Sequence, residues 1–366
     1  MIEAMRRGLL FVLCVTLLAA DPTGAALPRS EVDRLDDVRG PQIHFVYAIP
    51  SDGEDRRLDE TGSIEGSVAM FQSWLAGQTG GPNLRVDTYQ GVPDVSFHRL
   101  SKTNAEVASL GANVVGEVEA SLHSAGFGRP NRIYAVYYDG VSTYACGGAF
   151  WPPEIRGDTV AMYLRGEIGT ARCAHFGIPR SSGTPSYWEF AMLHDILHGL
   201  GIVGQCAPHH HLVGHVSDFV NDLMYAGPGG WELPPTLDVG RDDYYGHGRA
   251  DCPDLARSPY LSSNPPPPPA ITVASFMAGA RARPGRTIEA RLQVVVDAEP
   301  VPSGTARCTA KLGTRALRPI GASFAGSAAL CRWRVPASAK GKRLTASVTA
   351  TTGSLTAVRQ FSRVVR

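Results

Sequence analysis

The sequence predicts an α+β domain, a mixed sheet with one internal helix, followed by a separate all-β sandwich. Three observations carry this. A run of five prolines, Pro265–Pro269, makes an extended, semi-rigid spacer within the 366-residue chain. Before it, short apolar runs alternate with segments of helical spacing. After it, only period-two segments occur, separated by Gly, Pro and Ser. The charge divides at the same place. Residues 270–366 carry 16 Lys and Arg against three Asp and Glu, a net charge of +13, and the rest of the chain carries −12, although the total is only +1.

The first 26 residues place Arg6 and Arg7 before an apolar run, Leu9–Ala20, and end on the small residues Gly24, Ala25 and Ala26. That is the layout of a secretory signal peptide, residues 1–26, so the protein is expected to be secreted and extracellular. The apolar run is short for a bilayer and no other long one follows, so no membrane span is expected once it is removed. Residues 27–40 are polar and are expected to be loose.

Six cysteines then remain: Cys146, Cys173, Cys206, Cys252, Cys308 and Cys331. In an exported chain an even count implies disulfides, here three. Neighbours in sequence are the preferred partners, Cys146–Cys173, Cys206–Cys252 and Cys308–Cys331. A thiolate zinc site is disfavoured, because no CxxC occurs.

The first domain is expected over 41–262. Residues 43–49 (IHFVYAI) read as a central strand and 62–77 as a helix with Ile64, Val68, Phe71 and Trp74 on its apolar side. Strands are expected at 83–89 and 94–100, a long helix at 103–125, and a buried strand at 132–138. Residues 147–153 read as a loop and 158–164 as an edge strand. After Gly204 little regular structure is expected before residue 262. The linker covers 263–270. The second domain, 271–366, alternates in the strand manner at 287–296, 304–312, 330–335, 343–351 and 357–365, which suits a basic immunoglobulin-like β-sandwich with Trp333 beside Cys331.

The chemistry concentrates in Ser186–Gly201, SYWEFAMLHDILHGLG. Ser186 and Glu189 fit a capping box and Gly201 a helix stop. The intervening apolar residues leave little polar face, so this helix is expected to be internal. His194 and His198 are four apart and share one face, where two neutral imidazoles can grip one Zn²⁺.

The residues His194, Asp195, His198 and Gly201, in HDILHGLG, resemble the HExxHxxG motif of zincin metallopeptidases, metzincins in particular. NDLMYAG, Asn221–Gly227, looks like the Met-turn of that group. The resemblance covers about residues 42–260 and implies an α+β zincin-like catalytic domain that hydrolyses peptide bonds in a peptide or protein substrate. It implies that His194 and His198 ligate Zn²⁺, that Asp195 is the general base for the metal-activated water, and that Met224 lies beneath the metal. Two positions depart from the family pattern. Asp195 stands where the family has Glu, which shortens the side chain by roughly 1.5 Å. Gly204 stands where the third ligand usually falls. His215 is the preferred third ligand, with Asp218 and the run His209–His211 as alternatives. Tyr225, Tyr244, Tyr245 and His247 are candidates to stabilise the oxyanion, with Tyr225 taken as the catalytic one.

Two other readings compete. HD-type phosphohydrolases also carry an adjacent His-Asp pair, but they are helical and intracellular. Alternatively, the first domain is a catalytically weak or inert scaffold, and the basic domain, residues 271–366, binds anionic cell-wall polymer or polysaccharide at a cell surface. No basic stripe interleaved with aromatics occurs, so no nucleic acid partner is expected.

Overall fold

The computed structural model describes residues 27–150, 157–168, 171–227 and 231–366. The expected signal peptide, residues 1–26, lies outside the described residues. The chain is a mixed α+β protein with several sheets.

The first sheet is built on β1 (Gln42–Ile49), β2 (Val95–Arg99), β3 (Arg132–Tyr138), β4 (Gly147–Ala149) and β5 (Thr159–Tyr163), in the order β2-β1-β3-β5-β4. All neighbours are parallel except β4, which runs antiparallel to β5. Every residue of β1 is buried, because both faces of the sheet are covered. Ile43, Phe45, Tyr47 and Ile49 pack with α1 (Ser63–Thr79) and α4 (Tyr187–Gly199). Val46 and Ala48 pack on the other face with Val114, Val118 and Leu122 of α3 (Val114–Ser124).

Several sequence expectations are corrected. The single helix at 103–125 is broken into α2 (Asn104–Ala108), a short 3₁₀ turn at Gly111–Asn113, and α3. Gly111 sits at φ 57°, in the left-handed region that ends a helix. The expected loop at 147–153 contains β4, and β4 takes the edge position expected of 158–164, so β5 is internal. The strand expected at 83–89 reduces to an isolated bridge, Ile43–Val86, and a two-residue pairing at Thr88–Tyr89. Residues 27–40 hold no helix or strand, but they are not loose. Arg29 pairs with Asp55 at 2.5 Å and Asp59 at 2.7 Å and stacks 3.9 Å above the Phe97 ring. Arg34 pairs with Asp94 and Asp36 with Arg132. The Phe97 amide donates to Ser30 O at 2.7 Å, so this segment lies along β2.

After α4 the chain is mostly irregular to residue 264, as expected. Cys206–Cys252 closes this stretch, and its end returns to α1's side of the domain through the Leu84–Leu261 bridge. Among the described residues the stretch is interrupted by a hairpin, β6 (His210–His211) paired with β7 (His215–Val216), and by a 3₁₀ turn at Leu255–Arg257.

The second domain comprises β8 (Ile271–Ala278), β9 (Thr287–Val296), β10 (Thr305–Leu312), β11 (Gly321–Ala325), β12 (Ala328–Arg334), β13 (Arg343–Thr352) and β14 (Leu355–Val364). They form two antiparallel sheets, β8-β9-β12-β11 and β10-β13-β14, around one core. Alternate residues of β9 and β13 point inward, which is the period-two signature of half-buried strands. Cys308 on β10 and Cys331 on β12 bridge the two sheets beside the fully buried Trp333. β8 and β11 were not anticipated from the sequence. Arg129 of the first domain pairs with Glu299 of the second at 2.6 Å.

Candidate metal centre

The helix α4 begins as its sequence predicts. Glu189 closes a capping box, receiving the Ser186 amide at 2.8 Å and the Ser186 hydroxyl at 2.7 Å. Glu189 is fully buried and also receives the Ser67 hydroxyl at 2.9 Å, which fixes α4 to α1. The far end is a Schellman turn. Gly201 takes φ 74°, its amide donates to His198 O at 2.9 Å, and the Ile202 amide donates to Leu197 O at 3.1 Å.

His194 and His198 project from α4 toward His215 on β7. Their Nε2 atoms form a near-equilateral triangle: His194–His198 3.1 Å, His194–His215 3.2 Å and His198–His215 3.2 Å. His194 Nδ1 donates to Leu223 O at 2.7 Å and His215 Nδ1 to Leu212 O at 2.9 Å. Both rings therefore carry their proton on Nδ1 and turn an Nε2 lone pair into the triangle. A proton on His198 Nε2 can serve only one of those lone pairs at a time. A shared cation serves all three: tetrahedral Zn²⁺ at its usual bond length needs nitrogens about 3.3–3.4 Å apart. The residues present fit such an ion.

Burial, then repulsion from His215, pushes His194 down to about 3. Burial also pushes His198 and His215 below the ordinary histidine value. All three are thus neutral at pH 7, the form in which imidazole ligates.

The NDLMYAG segment anchors two of the three rings. Asp222 is buried and accepts the Met224 amide at 2.7 Å and the Tyr244 hydroxyl at 2.8 Å. This turn aims Leu223 O at His194. It also pairs with β7, since the Val216 amide donates to Met224 O at 3.0 Å and the Ala226 amide to Val216 O at 3.1 Å. Met224 is fully buried in the core.

The triangle opens into a cleft of about 670 Å³ lined by β4, α4, Tyr225 and Trp231. Asp195 is the only acidic group lining it among the described residues. Its carboxylate lies over the backbone of β4, where it accepts the Gly148 amide. Burial pushes it up to about 8. Tyr187, also on the cleft wall, is pushed up to about 12 by burial and by Asp195.

The structure thus brings together His194, His198, His215, Asp195 and Tyr225, with Met224 in the core behind them. It does not bring in the other candidates. Asp218 and His209 meet each other elsewhere, and His210 and His211 lie on β6. Tyr244 is spent on Asp222, Tyr245 donates to Thr79 O at 3.2 Å, and His247 meets Pro253 O at 3.0 Å. Sequence reading missed Gly147, Gly148 and Trp231. The Gly-Gly pair directly after Cys146 was the available clue to a backbone approached closely by another group. Trp231 donates to Asp222 O at 2.9 Å and its ring lies 5.8 Å from that of His194.

The chain matches no protein-family model and no curated protein. Among solved structures it is similar to titin domain M7, at 6% identity, covering 27% of this chain and 98% of that one with a TM-score of 0.21. It is similar to a chimeric titin Z1Z2 at 20% identity, covering 26% and 94%, with a TM-score of 0.21. A chaperone–substrate complex is similar over 56% of this chain and 31% of that one, at 14% identity and a TM-score of 0.25.

Proposed function

We propose that the protein is a secreted zinc-dependent endopeptidase of zincin type, with a C-terminal immunoglobulin-like domain. The carrying observation is the convergence of three neutral imidazole Nε2 atoms, 3.1–3.2 Å apart, in a cleft that holds one carboxyl group. In this reading His194, His198 and His215 would hold Zn²⁺ at the cleft. When bound, the ion supplies Lewis-acid polarisation of a peptide carbonyl and lowers the pKa of water to about 7. Asp195 carries the proton between the water and the leaving amine at its carboxyl oxygens. Tyr225, which lines the cleft, would donate to a developing oxyanion. The three disulfides suit an oxidising compartment, and no described helix is long and apolar enough to cross a membrane.

The test is zinc quantification with a peptide-library cleavage assay, with and without chelator, on wild type, His198→Ala and Asp195→Asn. One zinc per cleft and chelator-sensitive cleavage that both variants lose are expected. Cleavage that survives in Asp195→Asn removes Asp195 as the proton carrier.

A second reading has an observation of its own. It is the charge division of the chain, which leaves the first part acidic and the second domain strongly basic. The first domain would then be an inert scaffold, and residues 271–366, at +13, would hold the protein on an anionic polysaccharide or cell-wall polymer. Zinc binding without any cleavage, with salt-sensitive retention on such a polymer, supports this second reading.

A further inference from the structure

A second cluster of ligand-type side chains lies at the base of the hairpin that presents His215. β6 and β7 pair His210 with Val216 and His211 with His215, and the Ser217 amide donates to His209 O at 3.3 Å. His209 and Asp218 therefore flank the open end of the hairpin. There His209 Nδ1 faces three carboxylates: Asp243 Oδ2 at 3.0 Å, Asp218 Oδ2 at 3.6 Å and Asp242 Oδ2 at 3.8 Å. The ligand atoms of His209, Asp218 and Asp243 all lie within 4.8 Å of one another.

The carboxylates come from two chain segments and share one imidazole as their counter-charge. Among the described residues, no Lys or Arg stands at ion-pair distance from Asp218, Asp242 or Asp243. Asp243 is accounted for, accepting the His209 amide at 2.7 Å as well as facing its ring. Asp218 is not. Its side chain is 10% exposed, and neither oxygen has a hydrogen-bond donor in good geometry. A single Nδ1 proton on His209 is directed at Asp243, so Asp218 faces the ring at 3.6 Å without receiving a hydrogen bond, which folded proteins avoid for a largely buried group. Asp238 does not join the cluster as a ligand. It accepts the amides of Asp243, Tyr244 and Tyr245 and so shapes the turn that presents Asp242 and Asp243.

We propose that His209, Asp218 and Asp243 form a second divalent-cation site that ties the base of the His215 hairpin to the turn at 238–245. One imidazole with carboxylates is the donor set of Zn²⁺ or Mn²⁺ rather than of Ca²⁺, which takes oxygens. The site is separate from the three-histidine centre and does not depend on the reading of that centre. Its effect on His215 does rest on that reading.

The test uses the full secreted chain, stripped with dipicolinate, dialysed and titrated with Zn²⁺, with bound metal counted by atomic emission. Wild type is expected to take two equivalents. His198→Ala and Asp218→Asn are each expected to take one, and the double variant none. In Asp218→Asn the remaining equivalent is expected to bind about tenfold more weakly, the usual effect of loosening the surroundings of a ligand. His209→Gln, a change at a half-exposed ring, repeats the count in case Asp218→Asn fails to fold. A wild type that takes one equivalent, lost in His198→Ala and retained in Asp218→Asn and His209→Gln, overturns the second site. One equivalent lost in Asp218→Asn and retained in His198→Ala upholds it and instead refutes the three-histidine centre. Unchanged affinity of the remaining equivalent in Asp218→Asn overturns the tie to His215.

Discussion

Replacing Gly147 by Ala displaces the Asp195 carboxyl group without touching a metal ligand. A Cβ at Gly147 would lie 2.5 Å from the Met162 methyl and nearer still to Asp195 Oδ2, where ordinary contact begins at 3.4 Å. The Gly147 backbone is not in the left-handed region, so the change reports on space alone. The carboxyl group must retreat by about 1 Å. A misplacement of that size at a reacting group is worth about 100-fold in rate, close to 2.7 kcal/mol of barrier. The crowding of Met162 destabilises the fold by about 1–3 kcal/mol. The assay is kcat/KM for chelator-sensitive peptide cleavage, with zinc content and urea unfolding measured on the same samples. Zinc retained with kcat/KM lowered about 100-fold is the expected result. Unchanged kcat/KM with zinc bound would refute the claim that β4 positions Asp195.

Gly77→Ala, at an exposed helical position with nothing within 4 Å of an added Cβ, should stabilise the protein by about 0.5–1 kcal/mol in urea unfolding and leave cleavage unchanged. Removing the Cys308–Cys331 bridge by double Ser substitution frees a 23-residue separation and should lower stability by about 3 kcal/mol, read from the denaturant midpoint of the second domain. Glu65 is pushed up to about 7 by burial, so its carboxyl group is protonated in the folded chain over a range where the unfolded chain has released the proton. That raised value makes stability fall as pH rises from about 4.5 to 7, and Glu65→Gln should gain about 1 kcal/mol on wild type across that window in urea titrations. A pH-independent difference between the two would discount burial as the cause. Ser186→Ala removes the hydroxyl that Glu189 holds and should cost about 1 kcal/mol by the same unfolding measurement.

Local rules were legible wherever one short segment decides the outcome. Ser186, Glu189 and Gly201 gave both ends of α4 because caps depend on a few adjacent residues. The strand 287–296 could be read to the residue, because its burial alternates without interruption. β4 was not legible: Gly-Gly has no strand preference, and the segment is a strand only because β5 offers it partners. The break at Gly111 was hidden by the apolar stripe that continues through it into α3. Two of the three clustered histidines share one helix turn and are visible as a spacing. The position of His215 depends on a hairpin and on backbone pairing with 224–226, which no spacing encodes. Residues 27–40 looked loose because ion pairs with Asp55, Asp59 and Asp94 leave no periodic trace.

That N-terminal segment also covers one border of the first sheet. A five-stranded open sheet has two borders, and each is a row of backbone groups ready to recruit another chain. Along β2 the row is occupied in part, since Ser30 O takes the Phe97 amide, and the Ser96 hydroxyl holds Val32 O alongside at 3.1 Å. The other border is β4, only three residues long, with its Gly148 amide committed to Asp195. Losing the Arg29 and Arg34 anchors would therefore uncover the longer border, five residues of β2, as a template for pairing with another chain.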